Sequence, residues 1–136
     1  MAVNDYVRLH LQKITHSKAY TLFLLNAEDK QFAIYADPIV GSNIQTYVTD
    51  RIKPRPFTHD LVLSLINGFE IQIDKIVISD VEDTLYYAKL YVSQDKGELK
   101  QVVEIDTRPS DCFTLALMTD SPIFCKRAML EKVIPI

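Results

Sequence analysis

The chain passes from a strand pattern into a helix pattern within the stretch EIDTRPSDCFTLAL, residues 104–117. The alternating residues at its start end a strand, and the apolar run that follows predicts a helix over residues 109–118. Arg108, Ser110 and Asp111 lie at the junction. Charge beside an apolar run is costly unless it is paired, caps the helix or binds a ligand. The junction is therefore the first candidate for a functional site.

The rest of the chain divides into runs of strands followed by helices. Alternating or β-branched patterns predict strands over residues 6–14, 19–25, 31–36, 70–79, 85–92, 99–106 and 123–125. Helical patterns occupy residues 38–48, 58–68, 109–118 and 126–133. Strict strand–helix alternation is absent, so the pattern predicts an α+β fold, with residues 1–136 as one domain of mixed or antiparallel sheet and packed helices.

Several local features are predicted from single residues. Asp37 and Thr58 should be the N-caps of the first two helices, and Gly68 should end the second in a left-handed conformation. The helix over residues 109–118 is apolar nearly all round. It is therefore predicted to be the central buried helix, with Leu115 and Leu117 both in the core.

Composition restricts the class of protein. The chain has 136 residues, of which 48% are hydrophobic and 24% charged, as in a globular domain. No apolar run approaches the ~20 residues that span a bilayer, so no membrane association is predicted. No signal peptide is evident, and Cys112 and Cys125 lie in apolar settings that predict buried, reduced thiols. A cytoplasmic protein is the simplest interpretation.

The net charge of −3 and the pI of about 5.5 do not suit non-specific nucleic-acid binding through a broad basic surface. The net charge and pI do not exclude a nuclease, because such enzymes contain several carboxylates at the active site and need only local basic patches. One such patch is predicted in the loop that contains Arg51, Lys53 and Arg55.

The junction residues suggest phosphate chemistry. Asp106 and Asp111 could hold a divalent metal, while Arg108 and the helix N-terminus could bind a phosphate. The structural alternative is that Asp111 stabilises the helix through its interaction with the positive end of the helix dipole. Arg108 would then simply pair with one of the two carboxylates. Both interpretations stay open at the level of sequence.

His59 is the second candidate. It follows Thr58 at a helix start and lies near Arg55, where a neutral imidazole could act as a base or a ligand. A surface or capping histidine is the structural alternative. Because both helix starts combine arginine with a carboxylate, we expect His59 and Asp111 to lie on the same face of the domain.

Three blocks carry a resemblance to a known family. They read RPFTHDL at residues 55–61, RPSD at 108–111 and SPIF at 121–124. In order and spacing the chain resembles the bifunctional nuclease family over residues 6–132. The resemblance implies an α+β domain that cleaves DNA, RNA or both by phosphodiester hydrolysis, assisted by a divalent metal such as Mg²⁺ or Mn²⁺.

The chemistry of the side chains in and beside these blocks suggests roles for them, which the resemblance by itself does not establish. The candidate catalytic residues are Asp106, Asp111, His59 and Asp60, with Asp106 and Asp111 also as metal ligands. The candidate phosphate-binding residues are Arg108, Ser110, Arg55 and Lys53.

One segment departs from the family pattern. Family members commonly show Gly-Pro-x-Glu-Ala at the first helix, where this chain has Asp37, Val40 and Gly41 in place of the glycine, glutamate and alanine. Loss of that acid favours a second interpretation, a non-catalytic interaction or scaffold domain that retains the fold.

Assembly is the last expectation. Leu85, Tyr87 and Tyr91 need cover in so small a domain, and an uncovered strand edge invites pairing with another copy. We therefore expect a homo-oligomer, most simply a dimer, and nucleic acid as the other partner.

Overall fold

The protein is described by a computed structural model, which covers residues 5–136. Seven strands form one sheet: β1 (Tyr6–His16), β2 (Thr21–Ala27), β3 (Lys30–Ala36), β4 (Ile71–Glu82), β5 (Leu85–Lys96), β6 (Leu99–Thr107) and β7 (Ile123–Lys126). Four helices accompany them in this part of the chain: α1 (Pro38–Val48), α2 (Thr58–Gly68), α3 (Pro109–Thr119) and α4 (Arg127–Lys132). The predicted α+β class is confirmed.

The short strand β7 joins two antiparallel halves of the sheet. The strand order is β3-β2-β1-β7-β4-β5-β6, and every neighbouring pair is antiparallel except β4 with β7. Ile123 lies opposite Leu9 of β1 on one side and Ile76 of β4 on the other. The last strand in the chain, β7, thus lies in the middle of the sheet, and α3 connects it to β6.

The hairpin turns are tighter than predicted. β2 and β3 stay paired up to Ala27 and Lys30, and β5 and β6 up to Lys96 and Leu99, so each turn has only the two residues in between. The polar residues that suggested longer turns remain in paired backbone at the hairpin ends. The register of β4 against β5 shifts between Ile73 and Lys75 and again between Ile78 and Asp80.

The predicted caps of α2 are wrong. Phe57, not Thr58, is the N-cap residue, and its backbone N–H donates to the carboxylate of Asp60 at 2.7 Å. Gly68 is the last helical residue, and the left-handed conformation belongs to Glu70 at φ 56°. The backbone N–H groups of Phe69 and Glu70 donate hydrogen bonds that close the last turn of the helix. For α1, Asp37 holds the N-cap position without a side-chain capping hydrogen bond.

The central helix is α3, as predicted, and its five consecutive residues from Cys112 to Ala116 are all buried. Phe113 and Leu115 are buried, and the ring of Phe113 lies 4.8 Å from that of Phe23 in β2, centroid to centroid. Leu117 is 37% exposed and lines a groove with residues of α1, so its predicted core position is wrong. Burial ends at Ala116, because the last turn of the helix, which begins at Leu117, emerges from the core.

Helix α1 approaches the sheet closely at Gly41. The backbone N–H of Gly41 donates to Oγ1 of the buried Thr21 at 2.8 Å. A Cβ atom at position 41 would lie 2.8 Å from that same oxygen and against the side chain of His16. His16 in turn hydrogen-bonds Gln45 of α1 at 2.7 Å. Glycine at this position therefore lets α1 lie directly on β1 and β2.

Both cysteines are free and buried, as predicted. Removal from water penalises the thiolate, so burial raises the pKa of Cys112 to about 12 and that of Cys125 to about 11. Neither thiol is a nucleophile in the folded protein.

Candidate functional site

The starts of α2 and α3 meet on one side of the domain. His59, the second residue of α2, places Nε2 2.9 Å from Oδ1 of Asp111, the third residue of α3. The two residues are separated by 52 positions in the chain, so only the fold brings them together. The predicted convergence of the two helix starts is confirmed.

Arg108 holds the same carboxylate from the other side. Its Nε donates to Oδ2 of Asp111 at 3.0 Å and its Nη2 to Oδ1 at 3.3 Å. These hydrogen bonds, the charge of Asp111 and, further away, that of Asp37 raise the pKa of the guanidinium. The Arg108 side chain is 72% exposed, whereas Asp111 is 29% and His59 18% exposed. The arginine therefore keeps donor groups open to solvent while it orients the carboxylate.

The contacts of Asp111 fix the proton on His59. An ionised carboxylate only accepts hydrogen bonds, so Nε2 of His59 must be the donor. In the neutral imidazole the lone pair is then on Nδ1, for which residues 5–136 provide no hydrogen-bond partner. The arrangement is that of a histidine whose tautomer is set by a carboxylate and whose second nitrogen is ready to accept a proton.

The three side chains line a groove of about 490 Å³. Thr107 at the end of β6 and Val40 and Asn43 of α1 border it, and its floor is apolar, formed by Leu90, Ile105 and Leu115. A smaller groove of about 230 Å³ lies on the other side of Arg108, with Asp37 and Ser110 in its wall. Arg108 and Val40 line both grooves. Val40 is thus part of the site.

Asp60 and Lys53 form a separate contact. Nζ of Lys53 lies 2.6 Å from the Asp60 carboxylate and 4.9 Å from the ring centroid of Phe57. With the backbone hydrogen bond from Phe57, both interactions hold the loop against the start of α2. The hydrogen bonds of Asp60 therefore stabilise the loop. Asp60 is next to His59 in the sequence, but it does not line the groove.

Asp106 is not brought to Asp111. Successive residues of a strand face opposite sides of a sheet, and Thr107 faces the groove, so Asp106 points to the other face. There it is 78% exposed, 3.7 Å from Nζ of Lys89. We predicted that the two carboxylates lie close together because they are only five residues apart in the sequence. The turn from strand to helix instead separates them.

The remaining predicted residues lie around this centre. Ser110 is buried at 8% exposure, and its carbonyl accepts a hydrogen bond from Thr114 in α3. Arg55 is exposed in the loop before α2 and makes no hydrogen bond or ion pair with the described residues. Asn43 was not predicted as a site residue. Its spacing of three residues from Val40 on a helix was the signal that could have identified it.

The two carboxylates predicted to bind a divalent metal are engaged by other side chains. Both oxygens of Asp111 are engaged by His59 and Arg108, and Asp106 faces Lys89. Within residues 5–136, no group of three or more His, Cys, Asp or Glu side chains could hold an ion. The dependence on Mg²⁺ or Mn²⁺ stays a prediction.

The Lys53–Asp60 contact makes stability depend on pH. The hydrogen bond from Lys53, and then that from the Phe57 backbone, lowers the pKa of Asp60 below its ordinary 3.8. A lowered folded-state pKa stabilises the fold above the ordinary pKa, and the contribution is lost as pH falls through the lowered value. Asp60→Asn should therefore cost roughly 1 kcal/mol of unfolding free energy at pH 7. The difference from wild type should shrink when urea denaturation is repeated below about pH 4.

The matched control is Asp29→Asn, because Asp29 lies exposed in a hairpin turn. It should leave stability unchanged at both pH values. A cost of Asp60→Asn that stays constant down to pH 3 would show that the charge of Asp60 is not what stabilises the loop.

Comparison with known proteins places the chain in context. Two curated relatives, Uncharacterized protein MT1877 of Mycobacterium tuberculosis (strain CDC 1551 / Oshkosh) and Uncharacterized protein Rv1829 of Mycobacterium tuberculosis (strain ATCC 25618 / H37Rv), are each 31% identical to it over 79 residues. The match covers 58% of this chain and 44% of each relative. The chain therefore matches less than half the length of these curated relatives.

No helix within the described residues is long and apolar enough to cross a membrane. The family model for the bifunctional nuclease domain matches residues 22–134, a span that contains both helix starts, the groove between them and every strand of the sheet except β1 and the first residue of β2. With its match over most of the sequence, the chain belongs to the bifunctional nuclease domain family.

Proposed function

We propose that this chain is a nuclease that hydrolyses phosphodiester bonds of DNA, RNA or both, and that the groove at His59, Arg108 and Asp111 is its active site. The contact of His59 with Asp111 at 2.9 Å is the observation that carries the proposal. It combines an oriented histidine, a carboxylate and an exposed guanidinium in one groove.

The proposed chemistry begins with a proton. Nδ1 of His59 would accept the proton of an attacking water, or of a ribose 2′-hydroxyl in RNA. The carboxylate of Asp111, on the opposite nitrogen, stabilises the imidazolium that results. The same imidazolium can then return a proton to the leaving oxygen, so the histidine ends the cycle neutral.

Arg108 would neutralise the phosphate. Two of its N–H groups face Asp111, and the rest of the planar guanidinium is exposed toward solvent at the groove. Guanidinium groups suit phosphate because their donors match two oxygens at once. Arg55 on the preceding loop is an exposed cation that could contact the backbone further along. Lys53 is already paired with Asp60, and its phosphate role would require that contact to open.

The groove has the size and lining of a small-ligand site. Its volume of about 490 Å³ lies within the usual ~300–1,000 Å³ of such pockets. The apolar floor of Leu90, Ile105 and Leu115 could receive the face of a base or sugar, while the charged wall faces the phosphate. With a net charge of −3, we expect weak binding that depends on salt.

A second candidate function is a non-catalytic interaction domain. The observation that favours it is α2, which buries none of its residues and exposes Leu61 and Leu65 by more than half. Such a surface suits a partner more than it suits water. Cytoplasmic residence remains a prediction in both cases.

The deciding experiment is cleavage of labelled single-stranded and duplex DNA and RNA by the purified protein. Parallel reactions should contain Mg²⁺, Mn²⁺ or EDTA, and each should be repeated with Asp111→Ala. We expect cleavage by the wild-type protein and its loss in the variant. Loss of cleavage in EDTA would establish the metal requirement. Equal cleavage by both proteins would mean that the active site is elsewhere or that a contaminant is responsible, and no cleavage under any condition would favour the interaction domain.

A further inference from the structure

We propose that β6 and α2 form a two-fold interface at which two copies of this chain extend one sheet into another. β6 is an edge strand, and eight of its nine residues are exposed. Among them Leu99 is 77% exposed, and Val103 and Ile105 are each 40% exposed. A long edge strand with apolar side chains is the kind of edge that monomeric proteins avoid.

The two edges of the sheet differ. At β3 the backbone N–H of Ile136 donates to the carbonyl of Gln31 at 2.8 Å, and Nζ of Lys30 donates to the carbonyl of Leu130 at 2.6 Å. The C-terminal segment thus covers the end of that edge at Lys30 and Gln31. At β6, no backbone–backbone hydrogen bond within residues 5–136 runs to any element other than β5. Its outer N–H and C=O groups remain for another strand.

Helix α2 supplies a second apolar strip on the same face of the sheet as Ile105. Leu61, Leu65 and Phe69 follow one another at four-residue spacing and are 57%, 53% and 63% exposed. The helix begins at the groove where Ile105 lies, and at its other end the carbonyl of Phe69 accepts a hydrogen bond from Gln94 of β5. The strip therefore lies on the face of the sheet to which Ile105 belongs.

The sequence of β6 is complementary to itself in one antiparallel register. With Val102 opposite the Val102 of a second copy, Lys100 faces Glu104 and Leu99 faces Ile105, each pair occurring twice. Antiparallel pairing of this kind has its two-fold axis perpendicular to the sheet. Both copies of α2 then lie on the same face of the extended sheet.

The available surface is adequate for a stable dimer. A nine-residue strand is about 30 Å long, and a strand plus a three-turn helix from each copy suits the ~1,000 Å² or more of a specific interface. Ile105 belongs both to this surface and to the groove, so the second copy would border the groove without supplying its charged residues. The inference does not depend on nuclease activity.

Sedimentation equilibrium of the purified protein tests the assembly. We expect about twice the 15.6 kDa of one chain at micromolar concentration. Val102→Lys places two ammonium groups at the axis and should give the monomer mass. Because Val102 is 59% exposed in one chain, the variant should still fold, and circular dichroism checks this.

A charge exchange tests the register. Lys100→Glu would face Glu104 of the second copy twice and should raise the dimer dissociation constant about tenfold or more. Adding Glu104→Lys should restore it. The matched control is Tyr35→Lys, at the opposite edge and 59% exposed, which should remain dimeric.

Each outcome bears on the proposal. A monomeric wild-type protein would overturn it and leave this face to a different partner. A dimer that persists in Val102→Lys would overturn the choice of β6, and failure of the double exchange to restore association would overturn the register.

Discussion

His59→Ala should lower phosphodiester cleavage by about 10²–10⁴-fold, the usual contribution of a positioned general base. The variant removes Nδ1, to which the proposed mechanism assigns the proton of the attacking group. It leaves Arg108 and Asp111 in contact with each other, so substrate binding should change less than turnover. The measurement is kcat and KM on the substrate that the wild-type protein cleaves best, with the fold checked by circular dichroism.

His10→Ala is the matched control, because His10 lies exposed on β1 and contributes to neither groove. It should retain full activity. Asp111→Asn gives an independent test of the tautomer: an amide can donate to Nε2 and so favours a proton on Nδ1, the wrong nitrogen for a base. Full activity in both site variants would contradict the proposed mechanism even if the protein is a nuclease.

Leu115→Ala should lower the free energy of unfolding by roughly 2–5 kcal/mol, whereas Leu117→Ala should cost less than about 1.5 kcal/mol. Both residues are leucines in α3, but Leu115 is 3% exposed and Leu117 is 37% exposed. Truncating the first leaves a cavity between α3 and the sheet, and truncating the second removes a surface contact with the α1 groove.

Urea denaturation at pH 7 measures both variants under the same conditions, and each serves as the control for the other. Equal losses would mean that the end of α3 at Leu117 is covered as well. A negligible loss for Leu115→Ala would contradict the central position of α3.

Periodicity was sufficient to predict the class of fold and most elements. Alternation identified β1, and the apolar stripe of residues 58–68 identified α2 within a residue at each end. The ends of the hairpins were less predictable, because polar residues such as Asn26 occur both in turns and in paired backbone at the sheet margin. The position of β7 between β1 and β4 required the tertiary fold, since four residues carry no pairing signal.

The site was predicted in part for a similar reason. Helix starts are visible in sequence, so His59 and Asp111 could be proposed as neighbours, and the structure brings them into contact. Asp106 shows the limit of such reasoning: one residue of strand alternation places it on the opposite face from Thr107. Asp60 was proposed for catalysis because it adjoins His59, but its partners are the loop residues before it.

The two buried cysteines make the protein its own reporter of unfolding. Burial holds both thiols in the protonated form, with the pKa of Cys112 at about 12 and that of Cys125 at about 11, so an alkylating reagent at neutral pH reaches them only when the structure opens. Cys112 belongs to α3 and Cys125 to β7, the crossover helix and the strand that joins the two halves of the sheet. If those elements open together, both thiols are modified at one rate. If β7 detaches first, the sheet separates into halves before its central helix is released, and the order of modification records it.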